Sequence, residues 1–166
     1  MNTQCRFVIG SVTFLLLLGM LPDCAAQQKQ GNKYACLEPN PASQCNAGNT
    51  CGSPSTPCTV DVRRTSYSAS ATPSIANAKR NALFCVKAGT TVTWQSSAKN
   101  TGFLVDFGAS SPFDPPDPIM GGSKKPVSVK ATNPGCSLYA FQATDSTGVY
   151  GMSKASQAEL IVVAGQ

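Results

Sequence analysis

The 166-residue chain contains no histidine. Imidazole is the commonest metal ligand and the usual acid–base group near neutral pH, so every catalytic triad that runs through it is excluded. What chemistry remains rests on a few groups. Ser96-Ser97-Ala98-Lys99 has the S-x-x-K spacing in which a lysine amine activates a serine. In the enzymes that use it, that motif opens a helix in a much larger domain, whereas here it follows a strand-like segment ending at Trp94-Gln95. Asp114 and Asp117 share one Pro-rich stretch, and two carboxylates so placed can act as acid and base on a glycosidic bond. With backbone carbonyls they can also hold a calcium ion, although no EF-type spacing supports one. Each stands beside a proline, which is how aspartates set turns. No phosphate-cradling glycine loop is present. The expectation is therefore no catalysis, no cofactor and no resident metal.

Cysteine is the other reactive residue type, and its use follows the compartment. Phe7 to Leu21 is an apolar and small-residue run behind Arg6, shorter than the ~20 residues of a membrane span. The small residues Cys24-Ala25-Ala26 form a signal-peptidase site, so residues 1–26 are expected to be a signal peptide cleaved before Gln27. A retained anchor and a lipid on Cys24 are the alternatives; Asp23 is a poor match to the small residue that precedes a lipidated cysteine. The mature chain is expected to be secreted or periplasmic, with no membrane span. It keeps six cysteines, Cys36, Cys45, Cys51, Cys58, Cys85 and Cys136, an even number that points to disulfides. None is spaced C-x-x-C, which argues against zinc or thioredoxin-like use.

The elements that must position these residues fall into two zones. Residues 27–58 are polar, with only Tyr34 and Leu37 as large apolar groups, and cannot fold by burial alone. This cysteine-rich extension relies on disulfides or lies against the main domain. From Thr59 to Gln166 strand signals recur over seven segments: 59–65, 82–88, 90–95, 102–107, 125–131 and 136–143, most of them alternating with period two, and 158–164, a near-continuous apolar run suited to a buried closing strand. Ser68 to Asn81 holds the only helical hint, one short turn. Ser110 to Ser123 is too rich in proline for a strand interior and reads as a long loop. The expected fold is an all-β sandwich of seven or eight strands over residues 59–166. The basic pairs Arg63-Arg64, Lys79-Arg80 and Lys124-Lys125 are scattered along the chain, so they read as ordinary solvated surface and no nucleic-acid partner is expected.

An ordered set of residues then stands out: Val86-x-x-Gly89-x-x-Val92-x-Trp94, Phe103-x-Val105-x-Phe107, a loop with Phe113 and Gly121-Gly122, Val127-x-Val129, Pro134-Gly135, Tyr139-x-Phe141 and the closing strand Glu159 to Val163. Over residues 82–164 the chain resembles the cupredoxins, the plastocyanin- and azurin-type blue copper proteins. The resemblance implies a Greek-key β-sandwich and an expected copper site of two His, one Cys and a weak axial Met. It places the first His at Phe103, the Cys at Ala143, the second His within Thr144–Gly151 and the axial Met near Met152. Three of those four ligands are missing, so the resemblance implies the fold without its copper chemistry. Cys85 and Cys136 both belong to the β domain, and a Cys85–Cys136 bridge is expected. The other four, Cys36, Cys45, Cys51 and Cys58, allow three pairings, which the sequence leaves open.

The function expected is thus an exported, non-catalytic binding or structural module. The alternatives are a copper protein with a non-standard site at Met120, Met152 or a reduced cysteine, and a small carboxylate-dependent hydrolase. The partner, a protein or small ligand, is expected at the loop end of the sandwich, on Phe113, Ile119, Met120, Tyr150 and Met152, unless these side chains turn inward to fill the vacated metal site.

Overall fold

Strand after strand carries large apolar side chains at every second position, and two such half-apolar sheets bury each other. The computed structural model describes residues 36, 38–109, 111–116, 118–151 and 157–165. The expected signal peptide, residues 1–26, and Tyr34, Leu37, Asp117 and Met152 therefore lie outside the described residues. The strands are β1 (Cys58–Arg64), β2 (Ala69–Pro73), β3 (Phe84–Lys87), β4 (Thr91–Gln95), β5 (Gly102–Asp106), β6 (Phe113–Asp114), β7 (Ile119–Gly122), β8 (Val127–Ala131), β9 (Gly135–Asp145), β10 (Gly148–Gly151) and β11 (Gln157–Val163). Among the described residues the only helical element is a 3-10 turn, Pro41–Gln44.

One sheet has the order β2-β1-β4-β8-β6 and the other β3-β11-β9-β5-β7, with β10 added to β9. β1 runs parallel to β4, and β3 parallel to β11; the remaining pairs are antiparallel. Between the sheets lies an aromatic core. Trp94 meets Phe107, Phe113 and Tyr139 edge-on, with ring centroids 6.2, 6.2 and 5.5 Å away. Such edge contacts align positive ring rims with negative faces and add about 0.5–1.5 kcal/mol per pair to the burial itself.

All seven expected strand segments are present, and the sandwich is all-β as expected. Four short strands were not expected. β2 is Ala-Ser-Ala-Thr-Pro, whose small side chains give almost no hydrophobic signal, yet it pairs along β1 from Arg64↔Ala69 to Val60↔Pro73. The stretch read as a long loop holds β6 and β7. Pro112 stands just before β6, and Pro115, Pro116 and Pro118 fall between the two strands, so none occupies a strand position and the objection to a strand interior does not reach the flanking residues. The stretch after Ala143 is a hairpin of β9 and β10 rather than an open loop.

The cysteine pairing corrects one expectation. The bridges are Cys36–Cys136, Cys45–Cys85 and Cys51–Cys58. Cys85 and Cys136 do not pair. β11 runs between their strands, with Ile161 in register with Cys85 on one side and with Cys136 on the other. Two strand spacings separate the two cysteines by about 9–10 Å, beyond the ~7 Å that a disulfide can span. Both instead reach outward to the extension, and Ile161 between them is buried.

The segment before β1 is thereby fixed to the sheet. Cys51 N–H donates to Cys85 O at 2.7 Å and Cys85 N–H to Asn49 O at 2.9 Å, so residues 49–51 cover the free edge of β3. Covering an edge strand removes a template for aggregation. Gly52 turns the chain into the short Cys51–Cys58 loop with φ +67. A Cβ there would lie 2.6 Å from Thr56 O, so both conformation and space demand glycine. Three disulfides across a domain of this size point to an oxidising compartment.

Candidate binding surface

The expected partner residues separate on inspection. Phe113 and Ile119 are each only 2% exposed and belong to the core, so neither contributes to a surface. The physical reason is strand pairing: Phe113 sits opposite Ala131 of β8, and Ile119 opposite Val105 of β5, both on inward faces. Their apolar side chains were read as loop residues because the prolines between them hid the strands. Met120, one residue on, faces outward and is 59% exposed. Tyr150 is half-buried.

Tyr150 owes its place to a polar cluster at the β9–β10 hairpin. The Arg64 guanidinium lies 4.1 Å from the centre of its ring. Arg64 Nη1 also donates to Asp145 Oδ2 and Thr147 Oγ1, at 3.0 Å each. Thr147 hydroxyl donates to Asp145 Oδ1 at 2.6 Å and its backbone N–H does so at 2.8 Å. These two donors first, with a smaller contribution from Arg64, hold the Asp145 carboxyl at about 2. A second carboxylate nearby is equally engaged. Asp61 accepts from Ser97 N–H at 2.7 Å, from Ser97 Oγ at 3.0 Å and from Arg63 Nε.

Of the copper-ligand positions implied by the resemblance, Phe103, Ala143 and the Thr144–Gly151 stretch fall among the described residues, and Met152 does not. Phe103 on β5 and Ala143 on β9 are register partners, and both are buried. The Phe103 ring lies over Gly121 of β7, so closely that a Cβ on residue 121 would collide with its Cζ at 2.5 Å. A phenyl ring and a methyl group offer no donor atom. The six cysteines of the described residues are all consumed in disulfides, and the chain has no histidine. The residues present do not fit a blue-copper centre.

Ser96 Oγ is buried without a hydrogen-bond partner among the described residues, while Lys99 is exposed. Asp114 is exposed at the end of β6, and Asp117 lies outside the described residues. One cluster escaped the sequence reading. Glu159 Oε1 lies 2.7 Å from Cys36 Sγ and 2.9 Å from Cys136 Sγ. Disulfide sulfurs carry no proton, so these are contacts rather than hydrogen bonds. Burial, and then the nearby Glu38 charge, push the Glu159 carboxyl above its ordinary value. Nothing in the sequence brings position 36 beside 136 and 159; only the pairing does.

No protein-family model matches this sequence, and no curated protein matches it.

Proposed function

We propose that the chain is an exported, non-catalytic binding module built on a copper-free, cupredoxin-like Greek-key sandwich. One observation carries this reading: the two positions where the resemblance would put His and Cys hold Phe103 and Ala143, paired across β5 and β9 and sealed in the core. A close-packed apolar pair at those positions devotes that end of the sandwich to stability rather than to metal. Recognition is then left to the exposed surface around the β1–β2, β4–β5, β7–β8 and β9–β10 turns. Export is supported by the signal-like first 26 residues and by the three disulfides. The test is metal analysis of the protein purified from its native compartment. Copper well below one atom per chain is expected; stoichiometric copper contradicts the reading.

A second reading, metal handling, is favoured by one specific feature. If the Cys36–Cys136 bridge is reduced, those two sulfurs and the Glu159 carboxylate offer three donors within 4.8 Å of one another. Metal taken up only after reduction would support it; no uptake by reduced protein would remove it.

A further inference from the structure

Of the basic pairs that look scattered along the chain, the fold gathers all but Lys79 along neighbouring grooves. A groove of about 500 Å3 lies on the outer face of β2, β1 and β4, lined among others by Arg63, Arg64, Arg80, Gln95 and Ser97. Gln95 and Ser97 also line a second groove, of about 560 Å3, between the β4–β5 and β7–β8 turns, which carries Lys99 and Lys124. That groove in turn shares Asn100, Ser123 and Lys124 with a third, of about 610 Å3, which adds Lys125 and runs over β5 and β7. The three form one track around the end of the sandwich. Of the nine Lys and Arg residues described, six line it.

Charge pairing within the track is lopsided. Among the described residues Asp61 is the only carboxylate lining it, and Asp61 is already held by Arg63 and Ser97. Arg64 is bound to Asp145 beside the groove. Arg80, Lys99, Lys124 and Lys125 have no carboxylate within ion-pair distance among the described residues. A curved surface with unmatched cations spaced along it attracts a chain of anions more than a single one. The lining between the cations is hydroxyl and amide: Thr59, Thr72, Gln95, Ser97, Asn100 and Ser123. Such groups match a polyhydroxyl chain. Binding single-stranded nucleic acid would require aromatic platforms at intervals, but among the described residues the one aromatic side chain in the three grooves, Phe103, is buried.

We propose that this track binds a linear acidic polysaccharide, with sugar-borne carboxylate or sulfate groups set against Arg80, Lys99, Lys124 and Lys125. The inference rests on the binding-module reading and names its ligand class. It is tested by fluorescence anisotropy of the disulfide-intact mature protein with a labelled oligogalacturonate and, separately, a labelled heparin oligosaccharide. Saturable binding of the first probe, the second or both is expected, and which one binds identifies carboxylate or sulfate as the source. Arg80→Ala, Lys99→Ala and Lys124→Ala should each weaken it by about two- to fivefold, as exposed ion pairs do, and the triple variant by about tenfold or more. Lys87→Ala, outside the track, should bind as the unaltered protein does. Raising salt from about 50 to about 200 mM should weaken binding by about tenfold or more. The proposal is overturned if neither probe binds, if the triple variant binds normally, if neutral dextran competes equally, or if a single-stranded oligonucleotide of equal charge binds more tightly. Failure of binding leaves the copper-free module standing and removes only its ligand class. Shortening of the probe during the assay would instead end the non-catalytic reading while leaving the track in place.

Discussion

Replacing both Cys36 and Cys136 by alanine should be the most destabilising loss of a single cross-link, because that bridge closes the longest loop. The sequence separations are 100 for Cys36–Cys136, 40 for Cys45–Cys85 and 7 for Cys51–Cys58. A cross-link removes loop-closure entropy from the unfolded chain as roughly −2.1 − 1.5R ln n, which near 25 °C gives about 4.7, about 3.9 and about 2.4 kcal/mol for the three loops. Both sulfurs of the long bridge are only half-buried, so alanine leaves little cavity there and the entropic difference should dominate. Removing them also relieves the Glu159 carboxylate crowded against them, which offsets a small part of the loss. A net loss of about 4 kcal/mol is expected, a large share of the 5–15 kcal/mol by which domains are stable. Urea unfolding of the purified variant, with the other two bridges verified by non-reducing peptide mapping, measures it. A loss under about 1.5 kcal/mol would refute the loop-length reasoning. Recovery of a Cys85–Cys136 peptide from the unaltered protein would refute the strand order that separates those residues.

Three further outcomes follow from the core and its edge. Phe113→Ala should cost about 3–5 kcal/mol in urea unfolding, as buried aromatic truncations do, whereas Met120→Ala should cost under about 1 kcal/mol because Met120 is mostly exposed; similar losses would mean that Phe113 is not core. Tyr139 is fully buried, its hydroxyl has no partner among the described residues, and burial raises its pKa far above the usual tyrosine value. Tyr139→Phe should therefore be neutral or stabilising by about 1 kcal/mol, since it deletes an unsatisfied polar atom and keeps the ring; a loss above about 1 kcal/mol would reveal a hydrogen bond. Glu159 has a folded pKa raised above its unfolded value, so the folded state disfavours its ionisation, and that destabilisation sets in as pH rises past about 4.5. Glu159→Gln should raise the melting temperature at pH 7 and lose that advantage below about pH 4, where the carboxyl is protonated in both states; an advantage independent of pH would point away from charge.

What the sequence disclosed about this fold depended on side-chain size. Val92 with Trp94, and Phe103 with Val105 and Phe107, announce their strands because large apolar groups alternate with polar ones, and each of these side chains is buried. β2 is silent, since alanine and serine alternate with too little contrast, and its place is decided by pairing with β1. The Phe113–Ile119 stretch misleads because proline removes one backbone donor, its own, and leaves those of adjacent residues such as Phe113 and Ile119 intact. The disulfides were illegible for a different reason. Pairing depends on which strands lie side by side, and β11, last in the chain, inserts between two cysteines that otherwise look like natural partners. The proposed track shares that difficulty, since Arg80, Lys99 and Lys124 line it from segments far apart in the chain.

The most direct test of the account is a Cu(II) titration of the mature, disulfide-intact protein followed by visible absorbance and by metal content after desalting. No intense charge-transfer band and far less than one copper per chain are expected, because Phe103, Ala143 and the oxidised cysteines offer no ligand set. One tightly held copper per chain with a thiolate-type band would contradict it.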